Sequence, residues 1–518
     1  MDNPETDVLV IGSGLGGCAA ALAAVRAGAR VVMLTKASGA EESNTWYAQG
    51  GIIYQGLLDS PERLAADVVA AGGGLCDPAA VDLLSREGPR LVKRLLIDEV
   101  GVPFDRVNDG SLDLTAEAAH SVARIIHHED ATGRSIEEAM LAAVGREPNV
   151  TILTHRTAID LLTLSHHSRN PRDVYAPPTC VGAYVFDQQT GRVEPWMARE
   201  TILATGGLGR IYLHTTNPQG ACGDGVAMAY RAGARCINMQ FVQFHPTTLY
   251  HGGERFLISE SLRGEGARLV DAAGREFMHD YHPDGSLAPR DIVARGIHEM
   301  MHETGAACAY LDITHKPAAW IRGRFPQIYG RCREVGIDIT AQPIPVVPAA
   351  HYSCGGIAVD EWGRSSMRRL RAVGEVSCTG LHGANRLAST SLLECLVWGT
   401  RTGEDAARTS ASGADHYVPD IAEWRYETEP VDPALVAQDW LTIRQTMWNY
   451  VGLVRSRKRL DRAHQILRGL HLEIGEFYAS SELSDALISL RNGVQAALAV
   501  LLAAIEARES RGCHYRVD

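Results

Sequence analysis

Through the first 240 residues, short apolar runs alternate with longer mixed stretches, and glycine clusters mark the joins. The run 8–11 ends on Gly12-Ser13-Gly14-Leu15-Gly16-Gly17, an alanine-rich stretch then reaches Ala27, and a second run covers 30–34. Runs this short, separated by a helical stretch, predict parallel strands joined by a crossover helix. The run 200–204 repeats the device and leads into Thr205-Gly206-Gly207. Residues 1–240 therefore predict a parallel sheet covered by helices on both faces. Within them, the polar, proline-containing stretch 165–178 reads as an exposed hairpin loop.

The pattern changes at Phe241-Val242-Gln243-Phe244-His245-Pro246. Residues 241–350 mix short runs with Gly and Pro breaks around a helix over 289–302, which predicts a second, inserted domain. Glycine turns resume from 351 and end in a helix over 391–407, so the chain returns to its first domain over 351–408. The Ser-, Gly-, Pro- and acid-rich stretch 409–433 predicts a linker. Helical periodicity over 435–468 and 480–508 makes residues 434–518 a helical bundle.

The first turn carries chemistry. In a strand–GxGxxG–helix context, glycines let the backbone approach a pyrophosphate and aim a helix N-terminus at it, a Rossmann-like fingerprint. A nicotinamide dehydrogenase would place an acidic residue at the end of the second strand to hold a ribose hydroxyl. This chain has Thr35-Lys36 there, which points to another dinucleotide such as FAD.

Composition narrows the rest. With 518 residues the chain is long enough for two or three domains, and a net charge of −12 argues against an electrostatic nucleic-acid partner. An anionic ligand needs a local arginine cluster working against that field. None of the 11 cysteines forms a CxxC pair, which argues against a structural zinc or an iron–sulfur cluster and suits a reduced, cytoplasmic setting. His120, His127 and His128 show no metal-ligand spacing, so no metal is expected. The acidic N-terminus is unlike a signal peptide, and the apolar run 496–505 is too short to span a bilayer, so no membrane association is expected. On residue chemistry alone, Arg290 in Pro289-Arg290-Asp291 equally suits a helix start, His351 a structural histidine and Glu117 a solvated helix residue.

Seven motifs fall in a fixed order: Ser43-Asn44-Thr45-Trp46-Tyr47-Ala48-Gln49-Gly50-Gly51-Ile52, Asp130-Ala131-Thr132-Gly133, Ala204-Thr205-Gly206-Gly207, Gln243-Phe244-His245-Pro246-Thr247, Arg263-Gly264-Glu265-Gly266, Pro289-Arg290-Asp291 and His382-Gly383-Ala384-Asn385-Arg386-Leu387. Together they resemble the succinate dehydrogenase and fumarate reductase flavoprotein family, and Met447-Trp448-Asn449-Tyr450-Val451-Gly452 extends the resemblance into the last domain. It implies an α/β fold with a Rossmann-like FAD-binding domain, an inserted α+β capping domain and a C-terminal helical bundle.

Within the family the chain is similar to the branch that oxidises L-aspartate to iminosuccinate, the first step of bacterial NAD biosynthesis through quinolinate, with oxygen or fumarate taking the electrons. Membrane-complex members hold FAD through a histidine where this chain has Asn44, so the resemblance implies non-covalent FAD. Thr115-Ala116-Glu117-Ala118-Ala119-His120-Ser121 resembles the segment whose glutamate faces the substrate's amino group, and Val347-Pro348-Ala349-Ala350-His351-Tyr352-Ser353-Cys354-Gly355-Gly356 follows the branch pattern. The implied catalytic set is Arg290, His245, His351, Arg386 and Glu117, with Ser259, Glu260 and Thr247 in the substrate loop. Physically, two arginine forks suit a dicarboxylate, whose two charges need partners when buried. The implied cofactor set is Gly12, Gly14 and Gly17 at the pyrophosphate, with Ser13 and Asn44 also in contact with the cofactor; Lys36 at the adenosine moiety; Asp224 near the cofactor; Ser43, Thr45, Ala48, Gln49, Gly50 and Gly51 along the flavin and phosphates; Glu375 at the ribityl chain; and Ser391 and Leu392 at the flavin's N1–O2 edge. The resemblance also implies functional coupling to quinolinate synthase. Two alternatives stay open: a soluble fumarate reductase or succinate dehydrogenase flavoprotein subunit, and a flavin-carrying electron-transfer subunit without its own substrate.

Overall fold

The computed structural model describes residues 5–117, 119–252, 255–412 and 418–518. Ala118 of the 115–121 motif, and residues 413–417 of the expected linker, lie outside the described residues.

A seven-stranded sheet organises the first part of the chain. Strand β1 (Glu5–Ile11) lies between β2 (Val31–Leu34) and the long strand Arg192–Leu203, parallel to both, and Val150–Leu153 extends the sheet beyond β2. The expected all-parallel sheet is corrected on its far side: Cys180–Asp187 and Arg156–Thr163 form an antiparallel hairpin that adds to Arg192–Leu203. A hairpin pairs neighbouring strands without a crossover to the far side of the sheet, and alternating periodicity does not reveal the direction. The stretch 165–178 connects these two strands, as a hairpin loop. Leu370–Ala372 pairs in parallel with Thr201–Leu203, so a strand from the far end of the sequence completes the sheet.

Helix α1 (Leu15–Arg26) is alanine-rich because it packs very closely against the helix Thr390–Ala411. A Cβ on Gly403 would fall 2.1 Å from the carbonyl of Ala20, and one on Gly399 would fall 2.8 Å from that of Gly16. The two glycines and the alanine stripe bring the backbones together, and this contact sets the N-terminus of Thr390–Ala411 beside the glycine turn that opens α1.

The segment from Val242–Leu249 to Ile344–Ser353 builds a separate four-stranded antiparallel sheet with Arg268–Val270 and Ala309–Asp312. It has its own apolar core, which includes Ile258, Leu269, Phe277, Ile297 and Ile344. The helix Arg290–Thr304 packs on this sheet.

Three helices follow: Pro433–Val451, Arg457–Ser480 and Asp485–Glu506. The single helical stretch expected over 435–468 is broken at Gly452, where a Cβ would meet the Trp448 carbonyl at 2.4 Å, and Ser456 caps the next helix by accepting the Arg459 N–H. The run 496–505 is the second half of Asp485–Glu506, a helix long and apolar enough to cross a membrane by length and composition. In this fold 72% of its most apolar window is buried, in the same core as the sheet strands. The molecule is thus α/β, with a Rossmann-like sheet, an α+β region and a C-terminal helical bundle.

Candidate functional site

One cavity of about 770 Å³ runs from the glycine turn of β1–α1 to the edge of the four-stranded sheet. At the turn, Gly12 adopts φ +117°, and a Cβ there would lie 2.1 Å from the carbonyl of Ala204; only glycine fits where the two strand ends meet. Gly14 precedes α1 without a side-chain cap, and Thr45 Oγ1 accepts the Leu15 N–H at 3.1 Å. With no side chain at its N-cap residue, this helix start suits an anion. Gly12, Ser13 and Gly14 line the cavity, whereas Gly17 does not: its missing Cβ leaves 2.1 Å to the Gly12 carbonyl, so it packs the helix onto the turn.

Farther along, Lys36 and Asp224 line the wall as an ion pair at 2.6 Å. Burial is the largest influence and lowers the Lys36 value, but Asp224, Cys222 and Asp485 together outweigh it and the value is raised. Asn492, from the helix Asp485–Glu506, donates to the other Asp224 oxygen at 2.9 Å. Trp440, Arg444, Asp485 and Ser489 also line this end. Sequence reasoning missed these four, because they come from bundle helices more than 400 residues from the fingerprint and carry no motif of their own.

In the middle, the loop bearing Ser43, Asn44, Thr45, Ala48, Gln49, Gly50 and Gly51 faces Glu375, Ser391 and Leu392 across the cavity. Asn44 Nδ2 donates to Glu375 Oε2 at 2.8 Å, and the Ser353 N–H donates to Oε1 at 2.9 Å. Burial nevertheless pushes the Glu375 carboxyl up to about 7. Asn44 Oδ1 and Gln49 Oε1 are buried without a partner among the described residues. A glycine turn at a helix start and orphaned amide oxygens along one elongated cavity together fit a dinucleotide with a hydrogen-bonding ring system.

The last stretch gathers Glu117, His245, Ser259, Glu260, Arg290, His351 and Arg386. Glu260 is the hub: it accepts from Arg290 and, at 2.8 Å, from Arg263. Burial pushes the Glu260 carboxyl up, but Arg290 and Arg263 hold it below its ordinary value. The His245 and His351 rings stand edge to face with centroids 5.2 Å apart. Burial lowers both well below the ordinary histidine value, helped at His245 by Arg290 and at His351 by Arg386, so both imidazoles are neutral at pH 7. Thr216 Oγ1 lies 2.9 Å from His351 Nδ1. Arg290 Nη1 and Arg386 Nε are buried without partners among the described residues. Thr247 does not line the cavity: its hydroxyl donates to the Ile258 carbonyl at 3.0 Å and its N–H to His245 Nδ1 at 3.2 Å, tying the 257–260 loop to the strand that carries His245.

Glu117 is buried here, not solvated, and Ser389 donates to its Oε2 at 2.8 Å. Burial raises its carboxyl, with Arg290 opposing and Glu260 reinforcing the shift. His120 hydrogen-bonds the Ala388 carbonyl at 3.1 Å, and burial lowers it to about 4; His127 and His128 both lie 3.1 Å from Asp105. Among the described residues no cluster of His, Cys, Asp and Glu could hold a metal.

Residues 7–392 match the FAD binding domain family, and residues 441–518 match the fumarate reductase flavoprotein C-terminal family. An L-aspartate oxidase of Pseudomonas aeruginosa is 44% identical, over 99% of this chain and 95% of its own. L-aspartate oxidase 1 of Ralstonia nicotianae is 45% identical, over 99% and 95%. Among solved structures, the Escherichia coli quinol fumarate reductase superposes with a TM-score of 0.88 at 27% identity, covering 100% of this chain and 92% of that one.

Proposed function

This chain belongs to the L-aspartate oxidases, within the succinate dehydrogenase and fumarate reductase flavoprotein family, and on that premise we propose that the inner end of its cavity oxidises L-aspartate to iminosuccinate. The cofactor is FAD. Held in this cavity, FAD would supply the redox chemistry, as acceptor for the hydride from substrate C2 with oxygen or fumarate as the final acceptor.

The observation that carries this reading is one buried carboxylate, Glu117, placed among two arginines with open donors. The substrate is an α-ammonium dicarboxylate, and that combination of charges is its complement. Arg386, with His245 and His351, holds the carboxylates, and the neutral imidazoles serve as hydrogen-bond partners, not cations. Ser259 closes the loop side. Glu117 faces the ammonium group, whose burial without a partner would cost several kcal/mol.

Arg290 is paired with Glu260, and through it with Arg263, so a buried chain of polar groups stands behind Arg290. A guanidinium carries protons it can present to a substrate carbon, which suits Arg290 as the acid in fumarate reduction. Water exclusion follows if the region 241–350 caps the domain formed by 1–240 and 351–408.

Along the cofactor, Gly12, Ser13 and Gly14 take the pyrophosphate, Lys36 and Asp224 flank the adenosine half, and Ser43, Thr45, Gln49, Gly50 and Gly51 follow the flavin. Glu375 accepts from ribityl hydroxyls, and Ser391 and Leu392 bring a helix N-terminus to the flavin's N1–O2 edge. Asn44 has no imidazole to form a flavin bond, so the FAD is non-covalent. The product enters quinolinate formation, so coupling to a quinolinate synthase in the cytoplasm belongs to the same reading.

Anaerobic mixing tests it: L-aspartate should bleach the flavin absorbance and succinate should not. Rapid bleaching by succinate alone would favour the fumarate reductase or succinate dehydrogenase reading.

A further inference from the structure

The two arginines of the inner site are held in different ways. Arg290 is ion-paired to Glu260. Among the described residues Arg386 makes no ion pair; its guanidinium lies over the ring of Tyr352, 4.7 Å from the centroid, and its one side-chain hydrogen bond runs from Nη1 to Ser391 Oγ at 3.3 Å. We propose that Tyr352 is the positioning residue for Arg386, and that the buried pair His382–Glu394 fixes the Tyr352 ring in that place.

The support beneath the ring is complete on one side. Tyr352 Oη donates to Glu394 Oε2 at 2.9 Å and lies 3.1 Å from His382 Nε2. His382 Nε2 is itself 2.9 Å from Glu394 Oε2, and Thr379 Oγ1 donates to Oε1 at 2.6 Å. All four side chains are buried. Burial pushes the Glu394 carboxyl up, but His382, Thr379 and Tyr352 hold it below its ordinary value, while burial and then Glu394 raise the Tyr352 phenol well above its own. The phenol therefore stays protonated and donates to a carboxylate, which leaves its ring electron-rich.

The chemical consequence concerns specificity. A carboxylate partner would neutralise Arg386 and occupy its N–H fork, whereas an aromatic face attracts the cation and leaves the fork in plane and free. Arg386 Nε is buried with no partner among the described residues. The guanidinium, with no carboxylate at ion-pair distance among the described residues, is thus kept ready for one substrate carboxylate, and it is Tyr352 that keeps it aimed.

This inference rests on the dicarboxylate reading above, and titration of the oxidised holoenzyme with succinate, followed by flavin absorbance, separates the two. Wild-type protein that binds no succinate overturns both. If it binds, Tyr352→Leu should weaken succinate binding and raise the KM for L-aspartate about 10-fold, with kcat within about 3-fold and FAD content unchanged. Tyr352→Phe, which keeps the ring but loses the hydroxyl bonded to Glu394, should restore only part of that loss, and full restoration overturns the role of the His382–Glu394 pair. Unchanged succinate binding in Tyr352→Leu overturns the proposal, as does a loss of kcat or FAD without a change in KM. A phenylalanine variant as weak as the leucine variant overturns the role of the ring face.

Discussion

Ser389 Oγ donates to Glu117 Oε2 across 2.8 Å, joining residues 272 positions apart. Ser389 has a left-handed backbone, φ 57°, at the start of the helix Thr390–Ala411, whose packing against α1 is fixed by glycine contacts. The other Glu117 oxygen faces Gly50, where a Cβ would come within 2.5 Å. A short segment between strands thus receives its carboxylate's orientation from two elements that also line the cavity.

That placement makes substrate choice testable. Glu117→Gln keeps the shape and an acceptor oxygen but removes the charge facing an ammonium group. L-aspartate oxidation should fall roughly 10- to 100-fold in kcat/KM, the effect of losing a charge-assisted bond of about 1.5–3 kcal/mol. Fumarate has no amine, so its reduction should change far less. Steady-state kinetics with both substrates decides, and equal losses would move aspartate recognition elsewhere.

Arg290→Leu should lower turnover with L-aspartate and with fumarate, the fumarate loss being roughly 100-fold or more, as for loss of a general acid. The FAD absorbance of the purified protein should persist. Glu260 would keep only Arg263, 2.8 Å away, so a lower melting temperature is expected as well. Near-normal turnover would take Arg290 out of the site.

Acid precipitation of the yellow protein should leave all flavin in the supernatant. Asn44 is committed to Glu375 through a 2.8 Å hydrogen bond and offers no nucleophile for a covalent link. Flavin that stays with the pellet would refute this.

Legibility from sequence followed the range of the interactions. The fingerprint glycines, the 43–51 loop and both arginines were readable because each lies in a local motif whose residue types the chemistry demands. Gly17 was readable as part of the fingerprint, yet its work is packing, a distinction that depends on the 2.1 Å to the Gly12 carbonyl. The antiparallel hairpin was hidden because a strand's periodicity does not record its direction. Trp440, Arg444 and Ser489 were hidden because bundle helices bring them to the cavity by tertiary packing alone. Glu117 stood between these cases: its segment carried a resemblance, but its burial depends on Ser389 and Gly50, contacts that a local pattern cannot show.

Glu375 supplies the pH test. It accepts from Ser353 and Asn44, yet burial dominates and moves it from an ordinary value near 4.5 to about 7. A carboxyl whose folded-state value is raised contributes stability that is full below its unfolded value and is lost as pH rises through the folded one. The FAD-free protein should therefore lose roughly 3 kcal/mol relative to Glu375→Gln between about pH 4.5 and pH 8. Urea unfolding of both proteins across that range measures the difference, and a flat difference would refute burial as the cause. Cofactor binding should run the opposite way. Ionised Glu375 is the form that accepts hydrogen bonds from hydroxyl groups without giving up an oxygen to its own proton, so FAD should bind the wild type more tightly at pH 8 than at pH 6. In Glu375→Gln nothing titrates at that position, and its FAD affinity should stay level over the same interval. A wild type whose affinity is equally level would place the ribityl chain out of reach of Glu375.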